Sequence, residues 1–504
     1  MSWKLRIKPN GEAPLYRQIE AAIRAAIGSG RLKPGDRLPS VADLAAELKC
    51  NKLTAHKVFQ RLEKAGLLHS EVGRGTFVAA NPGELSAAAP DGEPLKPEVA
   101  RSIRRLREGY ARGLRELLAI ERRPGTIDLS GGVPSAASVP EDLLEQLTGE
   151  VLKKNPRRLF EYAGPAGLSE LREALCERLN RRGVPVSPDE VIVTNGSQQA
   201  ITLVAAWTRE DDRSLVCETP TYTGVPGCFT LFGHAVQSVA WENGAPNLEA
   251  LRAASQGRRV IFYLCPDFHN PTGQTLSTAA RHEIAQWART NDAMVIDDAI
   301  FRDLRFEGEE LPSLYSILPP GRRIMVGSIS KTFMPGLRVG YLVADRALVN
   351  ELVPYKRYMD IGSASLTQAI AAAFIRAGYH KHLETIRAVY RERRDAALAA
   401  LAEYMPEGVT WTKPQGGFQM WVTAQPRGIS SIQLFLRAID NGVAIGPGPA
   451  HDIDGRYLNS FRLGYGSASP AEIRSGIQRL GAIVRSLIDR ATEQSSAGGL
   501  GVVL

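Results

Sequence analysis

Lys331 stands in Gly327-Ser328-Ile329-Ser330-Lys331-Thr332, after a β-branched run. One lysine amine held at a strand end is what Schiff-base chemistry with an aldehyde needs. The chain offers the other parts such chemistry uses. Ser328 and Arg338 bracket the lysine and can hold a phosphate. Thr194-Asn195-Gly196-Ser197-Gln198-Gln199 follows a strand-like run and opens a helix, so backbone N–H groups at Ser197 and Gln198 suit an anion. Asp298 follows Met294-Val295-Ile296, where its charge would keep a pyridine nitrogen protonated. Tyr222, in Thr219-Pro220-Thr221-Tyr222, can stack on a ring, and Asn270, in Asn270-Pro271-Thr272-Gly273, can hydrogen-bond a ring 3'-oxygen. Aldehyde, phosphate, pyridine and 3'-oxygen together describe pyridoxal 5'-phosphate (PLP).

Something must hold these residues, scattered along the chain, in one place. From about Ile127 onward, short apolar runs alternate with amphipathic helical stretches: Val191-Ile192-Val193, Ser214-Leu215-Val216, Val260-Ile261-Phe262, Met294-Val295-Ile296 and Met325-Val326-Gly327. Such alternation predicts an α/β fold with a largely parallel sheet. A chain of 504 residues exceeds one ordinary core, so further domains are expected. The N-terminus lacks an apolar leader core, and no stretch of eighteen uncharged apolar residues occurs. The five cysteines show no C-x-x-C pair and no histidine at ligand spacing. The expectation is a reduced cytoplasmic protein without membrane contact or metal.

Charge is unevenly spread. Residues 1–80 carry 14 Lys/Arg and 7 Asp/Glu, whereas the chain beyond 126 carries 39 and 40. A basic excess confined to one end suits a polyanion-binding module. Leu15, Ile19, Ala22, Ile23, Ala26 and Ile27 form a helical stripe ended by Gly28 and Gly30. Ser40 is a natural N-cap for a helix over Val41–Leu48, and a short turn leads to a third helix, Leu53–Ala65. Leu67–Glu71 and Thr76–Val78 read as two strands joined at Gly73-Arg74-Gly75. Residues 1–79 are thus expected to be a winged helix-turn-helix. Its third helix would present Lys52, Thr54, His56 and Lys57 to a major groove, with Arg74 at the wing tip and Ser40 at the start of the second helix. Residues 80–126 are expected to be a linker holding an Arg-rich helix over 98–123, residues 127–490 the large domain, and residues 491–504 a flexible tail.

The N-terminal segment resembles the GntR family through Pro14-Leu15-Tyr16-Arg17-Gln18-Ile19, Gly30-Arg31-Leu32-Lys33-Pro34-Gly35-Asp36-Arg37-Leu38-Pro39-Ser40, Asp43-Leu44-Ala45 and Gly73-Arg74-Gly75-Thr76-Phe77-Val78. One departure is Ala42, where the family usually carries a DNA-contacting arginine. From about 127 to 490, the order of phosphate loop, aromatic, Asn-Pro-x-Gly, strand-end Asp, Lys and Arg resembles fold-type I aminotransferases. That resemblance implies a mostly parallel sheet with a smaller C-terminal α+β part. It also implies that Tyr162, in Tyr162-Ala163-Gly164-Pro165-Ala166-Gly167, reaches the cofactor phosphate of a second subunit, hence a homodimer. Arg462, in Asn459-Ser460-Phe461-Arg462-Leu463-Gly464, would grip a ligand carboxylate. In Asp297-Asp298-Ala299-Ile300-Phe301, the same alignment puts the pyridine contact on Asp298 with Asp297 second, and Phe301 where a tyrosine commonly donates to the 3'-oxygen.

A GntR-type winged helix fused to such a domain resembles the MocR (PdxR-like) regulators. The resemblance implies a PLP-dependent transcription regulator that binds double-stranded operator DNA and senses an amino-acid-like compound, or PLP itself. The rival is an active aminotransferase with an accessory DNA-binding module, which sustained turnover would reveal. Another is a GntR repressor that has lost the cofactor, against which Lys331, Asp298 and Arg338 argue.

Overall fold

The computed structural model describes residues 35–47, 50–64, 68–71 and 75–78, with a few between 18 and 32, and then residues 125–498 apart from 155, 212 and 425–429. The chain divides into two compact units, Met1–Pro94 and Leu95–Leu504. The expected Arg-rich helix over 98–123 and the wing-tip Arg74 lie outside the described residues.

In the first unit, helix α1 (Val41–Glu47) and helix α2 (Lys52–Lys64) precede a hairpin of β1 (Leu68–Glu71) and β2 (Gly75–Val78). Ala55, Val58, Phe59 and Leu62 recur at helical spacing on α2 and are buried with Ile19, Ile23, Leu38, Leu44, Leu68 and Val78 in one small core. The Ser40 hydroxyl accepts from Asp43 N–H at 3.1 Å and donates to the Asp43 carboxylate at 2.7 Å, which caps α1. Arg37 bridges Phe77, so the segment before α1 is pinned to the hairpin.

The second unit is built on an eight-stranded sheet. Its strands are β4 (Val191–Thr194), β5 (Ser214–Thr219), β6 (Val236–Glu242), β7 (Ala245–Pro246), β8 (Val260–Leu264), β9 (Met294–Asp298), β10 (Arg323–Ser328) and β11 (Gly340–Ala344). The order is β4-β11-β10-β9-β8-β5-β6-β7, with β10, β9, β8, β5 and β6 mutually parallel and β11 antiparallel to both neighbours. Every residue of β4, β8 and β9 is buried, because helices cover both faces of a parallel sheet. All five apolar runs singled out in the sequence fall in this sheet.

A smaller sheet holds β12 (Val409–Trp411), β13 (Gln419–Ala424), β15 (Ser460–Gly464), β14 (Val443–Pro447) and β3 (Ile127–Leu129), in that order. One apolar core runs from this sheet into the flank of the large one. The last helix, Pro470–Gly498, runs through Ala491–Ala497 without a break, since Ala, Thr, Glu, Gln and Ser there contain no helix stop before Gly498. Among the described residues, no helix is long and apolar enough to cross a membrane.

Candidate cofactor and nucleic-acid sites

β4, β5, β9 and β10 run the same way, so Thr194, Thr219, Asp298 and Ser328 end at one edge of the sheet. That edge is where α/β sheets bind ligands. After Thr194 the chain turns through Gly196, at φ 82°, into helix α3 (Ser197–Trp207). A side chain at Gly196 would collide with the Arg338 guanidinium, whose Nη2 donates to Asn195 O at 3.3 Å. Arg338 itself takes the left-handed region, φ 53°, to reach there. The open first turn of α3, carrying Ser197 and Gln198, therefore faces a guanidinium, a favourable place for a phosphate. Tyr222 donates at 2.7 Å to Gln198 Oε1, which fixes its ring beside the same turn.

Asp298 is 1% exposed. It accepts from Tyr263 OH at 2.6 Å and from Ile300 N–H at 3.3 Å. Burial pushes its carboxyl up from 3.8 to about 7, against those two hydrogen bonds. Asp297 points to the opposite face, where Ser313 Oγ and Tyr315 N–H donate to it at 3.1 and 2.9 Å.

Lys331 Nζ donates to Gly132 O at 2.9 Å. Burial, with Arg462 and Arg338 nearby, lowers its amine from 10.5 to about 8, and Asp298 opposes the shift. Arg462 donates from Nη1 to Asn270 Oδ1 at 3.0 Å, and from Nε and Nη2 to Ser130 O at 2.9 and 2.6 Å. Ser328 Oγ donates to Val339 O at 3.3 Å and accepts from Ser330 N–H at 3.1 Å. The buried Ser330 hydroxyl beside Lys331 has no partner among the described residues.

The structure thus gathers Ser197, Gln198, Tyr222, Asn270, Asp298, Ser328, Lys331, Arg338 and Arg462 around one edge. Tyr162 stands apart, 87% exposed on the surface. Phe301 is buried, edge-on to Phe418 with ring centroids 5.8 Å apart, and it faces Gly132. Sequence reading missed Tyr263, Ser330 and the carbonyls of Ser130 and Gly132. Tyr263 lies inside an apolar run and carries no motif, and backbone acceptors leave no trace in residue type.

PLP fits what is present. A buried carboxylate without an ion pair among the described residues matches a protonated pyridine nitrogen. An amine held near neutral pH matches an aldehyde, and an open helix turn beside a guanidinium matches a phosphate. Among the described residues, no group of three or more His, Cys, Asp or Glu side chains could hold a metal ion.

In the first unit, Lys52, His56 and Lys57 are exposed on α2 and Thr54 is half-buried. The Ser40 hydroxyl is engaged in capping α1.

Comparison with known proteins agrees with this division. Residues 15–78 match the gntR family of bacterial regulatory proteins, and residues 125–480 match the aminotransferase class I and II family. The chain is 31% identical to the HTH-type transcriptional regulator YdfD of Bacillus subtilis, over 95% of this chain and 98% of that protein. The fold is similar to the multiple substrate aminotransferase of Thermococcus profundus, with a TM-score of 0.71 and 32% identity over 75% of this chain and 95% of that one. It is also similar to LysN, the α-aminoadipate aminotransferase of Thermus thermophilus, solved with N-(5'-phosphopyridoxyl)-L-leucine (TM-score 0.68; 31% identity; 75% and 95% covered). The large unit has a fold-type I aminotransferase fold, and its cofactor is PLP. Fused behind a GntR-type DNA-binding domain in one chain, that domain makes this protein a member of the MocR type of GntR transcription regulators.

Proposed function

We propose that this regulator senses a small amine carrying a carboxylate, at the edge formed by Lys331, Asp298 and Arg462, and that occupancy changes how two tethered winged helices hold operator DNA. PLP supplies an aldehyde that captures amines and an electron-withdrawing ring. The residues around it have separable tasks. The first turn of α3 at Ser197 and Gln198, with Arg338 and Ser328, holds the phosphate. Tyr222 stacks on the ring, and Asn270 donates to the 3'-oxygen. Asp298 keeps a proton on the pyridine nitrogen. Lys331 provides an amine that is largely unprotonated above about pH 8. Arg462 offers a planar fork to the ligand carboxylate. Tyr162 of one copy completes the phosphate contacts of another, which makes the working unit a homodimer.

The observation that carries this reading is Lys331. Its amine is held near neutral pH beside a guanidinium fork and a buried carboxylate, in the same chain as a capped helix-turn-helix. A ligand regulates only if its affinity differs between two arrangements of the protein. The test is anisotropy of a labelled DNA fragment from the region upstream of the protein's own gene, titrated with PLP-loaded protein and a panel of amino acids. Amino acids should shift the midpoint for wild type and leave Lys331→Ala unmoved. Equal shifts in both proteins would sink the proposal.

A second reading, an active aminotransferase, is favoured by the same lowered amine, which can take up and return a proton. Steady keto-acid production from an amine panel would establish it.

A further inference from the structure

Asp360 lies outside every motif described so far, yet it is tied to the Asn195–Gln199 turn. It ends helix α4 (Arg346–Asp360), one turn after Lys356. Lys356 is completely buried, and burying an ammonium is costly unless it is paired. Its Nζ donates to both Asp360 oxygens, at 2.6 and 2.7 Å, and to Ser363 Oγ at 3.3 Å. Asp360 Oδ2 also accepts from Asn195 Nδ2 at 2.7 Å and from Gln199 Nε2 at 2.8 Å. Gln199 Oε1 in turn accepts from the Asn195 backbone N–H at 2.7 Å.

The side-chain amides of Asn195 and Gln199, which flank Ser197 and Gln198, are thereby both tied to one carboxylate. Two effects follow. The turn cannot close on itself, because Asn195 and Gln199 are held at both ends by one carboxylate. The carboxylate does not repel an anion in front of it, because the Lys356 ammonium neutralises it within hydrogen-bond distance. An amide at this position would leave Lys356 without its counter-charge and would set an N–H₂ donor against that ammonium in place of Oδ1.

We infer that Asp360, neutralised by Lys356, is a positioning residue for the cofactor phosphate, holding the Asn195–Gln199 turn in its anion-binding shape. The inference rests on the reading of that turn as the phosphate cradle. It makes a demand that a general structural role does not: Asp360 should matter for ligands that bear the phosphate and not for those that lack it.

The test compares PLP with pyridoxal, which has the same ring and aldehyde without the phosphate. Full-length, cofactor-stripped protein is titrated with each, following fluorescence quenching, for wild type, Asp360→Asn, Asp360→Glu and Gln199→Met. Wild type should prefer PLP strongly. Asp360→Asn should weaken PLP binding by about tenfold or more, the size of a lost charge-assisted contact, while pyridoxal affinity stays within about twofold. Asp360→Glu should recover part of the loss, and Gln199→Met, which removes one tether and leaves Lys356 paired, should lose several-fold for PLP alone. If Asp360→Asn does not fold, the Gln199→Met ratio decides. An unchanged ratio of PLP to pyridoxal affinity, or an equal fall in both, would overturn the inference while leaving the cradle standing. A wild type that does not distinguish the two ligands would overturn the cradle itself and this inference with it.

Discussion

The Arg462 guanidinium donates at 3.0 Å to the side-chain oxygen of Asn270. A guanidinium has only donors, so the contact fixes which end of the Asn270 amide faces it. The Asn270 N–H₂ is then turned away from Arg462, free to donate to a ring oxygen. One residue positions the other.

This makes Arg462→Lys a sharp test. Lysine keeps the charge but loses the fork, and with it the grip on both Ser130 O and Asn270. Amines bearing a carboxylate should bind about 10- to 100-fold more weakly, the range expected for a charge-assisted contact of about 1.5–3 kcal/mol. Amines without a carboxylate should lose less, through the loosened Asn270 alone. Spectral titration of PLP-loaded protein with paired ligands, such as an amino acid and its decarboxylated counterpart, checks this. Equal losses for both members of a pair would refute the assignment.

Phe301 bears on whether the protein senses or catalyses. Its ring is buried against Phe418 and faces Gly132, the residue whose carbonyl accepts from Lys331. Phe301→Tyr would place a hydroxyl at that face. Donation to the cofactor 3'-oxygen should stabilise its ionised form by about one to two pKa units, so the visible absorption band of bound PLP should titrate at lower pH than in wild type. Coincident titration curves would remove the hydrogen-bond argument. Wild type should also release keto acids slowly or not at all from an amine panel. Turnover at ordinary enzyme rates of roughly 1–10³ per second would favour the enzyme reading.

Lys331 gives the cofactor-free protein a pH signature. Its amine lies at about 8 in the fold against an ordinary 10.5, so folding disfavours the protonated form. Its favourable contribution is therefore complete above about pH 10.5 and is lost as pH falls through about 8. Lys331→Met should be more stable than wild type by about 1–3 kcal/mol at about pH 7, with the gap closing toward about pH 10.5. Thermal melts of both proteins across that window measure it. A gap that does not change with pH would mean that the amine is not desolvated. The same variant should lack the visible band of bound PLP.

DNA binding should be strongly salt-dependent, with log K falling at a slope of roughly −0.9 per phosphate neutralised. Lys52→Ala and Lys57→Ala should each lower that slope by about one unit if each meets a phosphate, and a base contact from His56 would appear as relaxed sequence preference in His56→Ala. Ser40→Ala should cost about 1 kcal/mol of stability in the first unit through loss of the α1 cap. Anisotropy at several salt concentrations and thermal melts separate the effects. Salt slopes identical to wild type in both lysine variants would remove α2 as the phosphate-facing element.

Much of this site is legible in residue order, for a physical reason. Parallel strands buried on both faces must be apolar throughout, so runs such as Val260-Ile261-Phe262 announce themselves, and polar residues just past their ends stand out. Asp298, Ser328 and the Asn195–Gln199 turn are found that way. Lys356 and Asp360 are not, because a Lys-Asp pair one turn apart on a helix looks like an ordinary solvent-exposed pair. Only packing shows that Lys356 is turned inward. Tyr263 is hidden for the opposite reason, a hydroxyl inside an apolar strand.

Strand β3 is three residues long and lies at the edge of the small sheet, paired with β14 alone. The next residues, Ser130 and Gly132, give their carbonyls to Arg462 and Lys331. The backbone thus meets the Arg462 and Lys331 side chains within a handful of residues of β3. A ligand that drew Arg462 or Lys331 toward itself would compete with those backbone bonds. A ligand that displaces both bonds would therefore loosen the backbone just past β3, where a three-residue strand is the anchor.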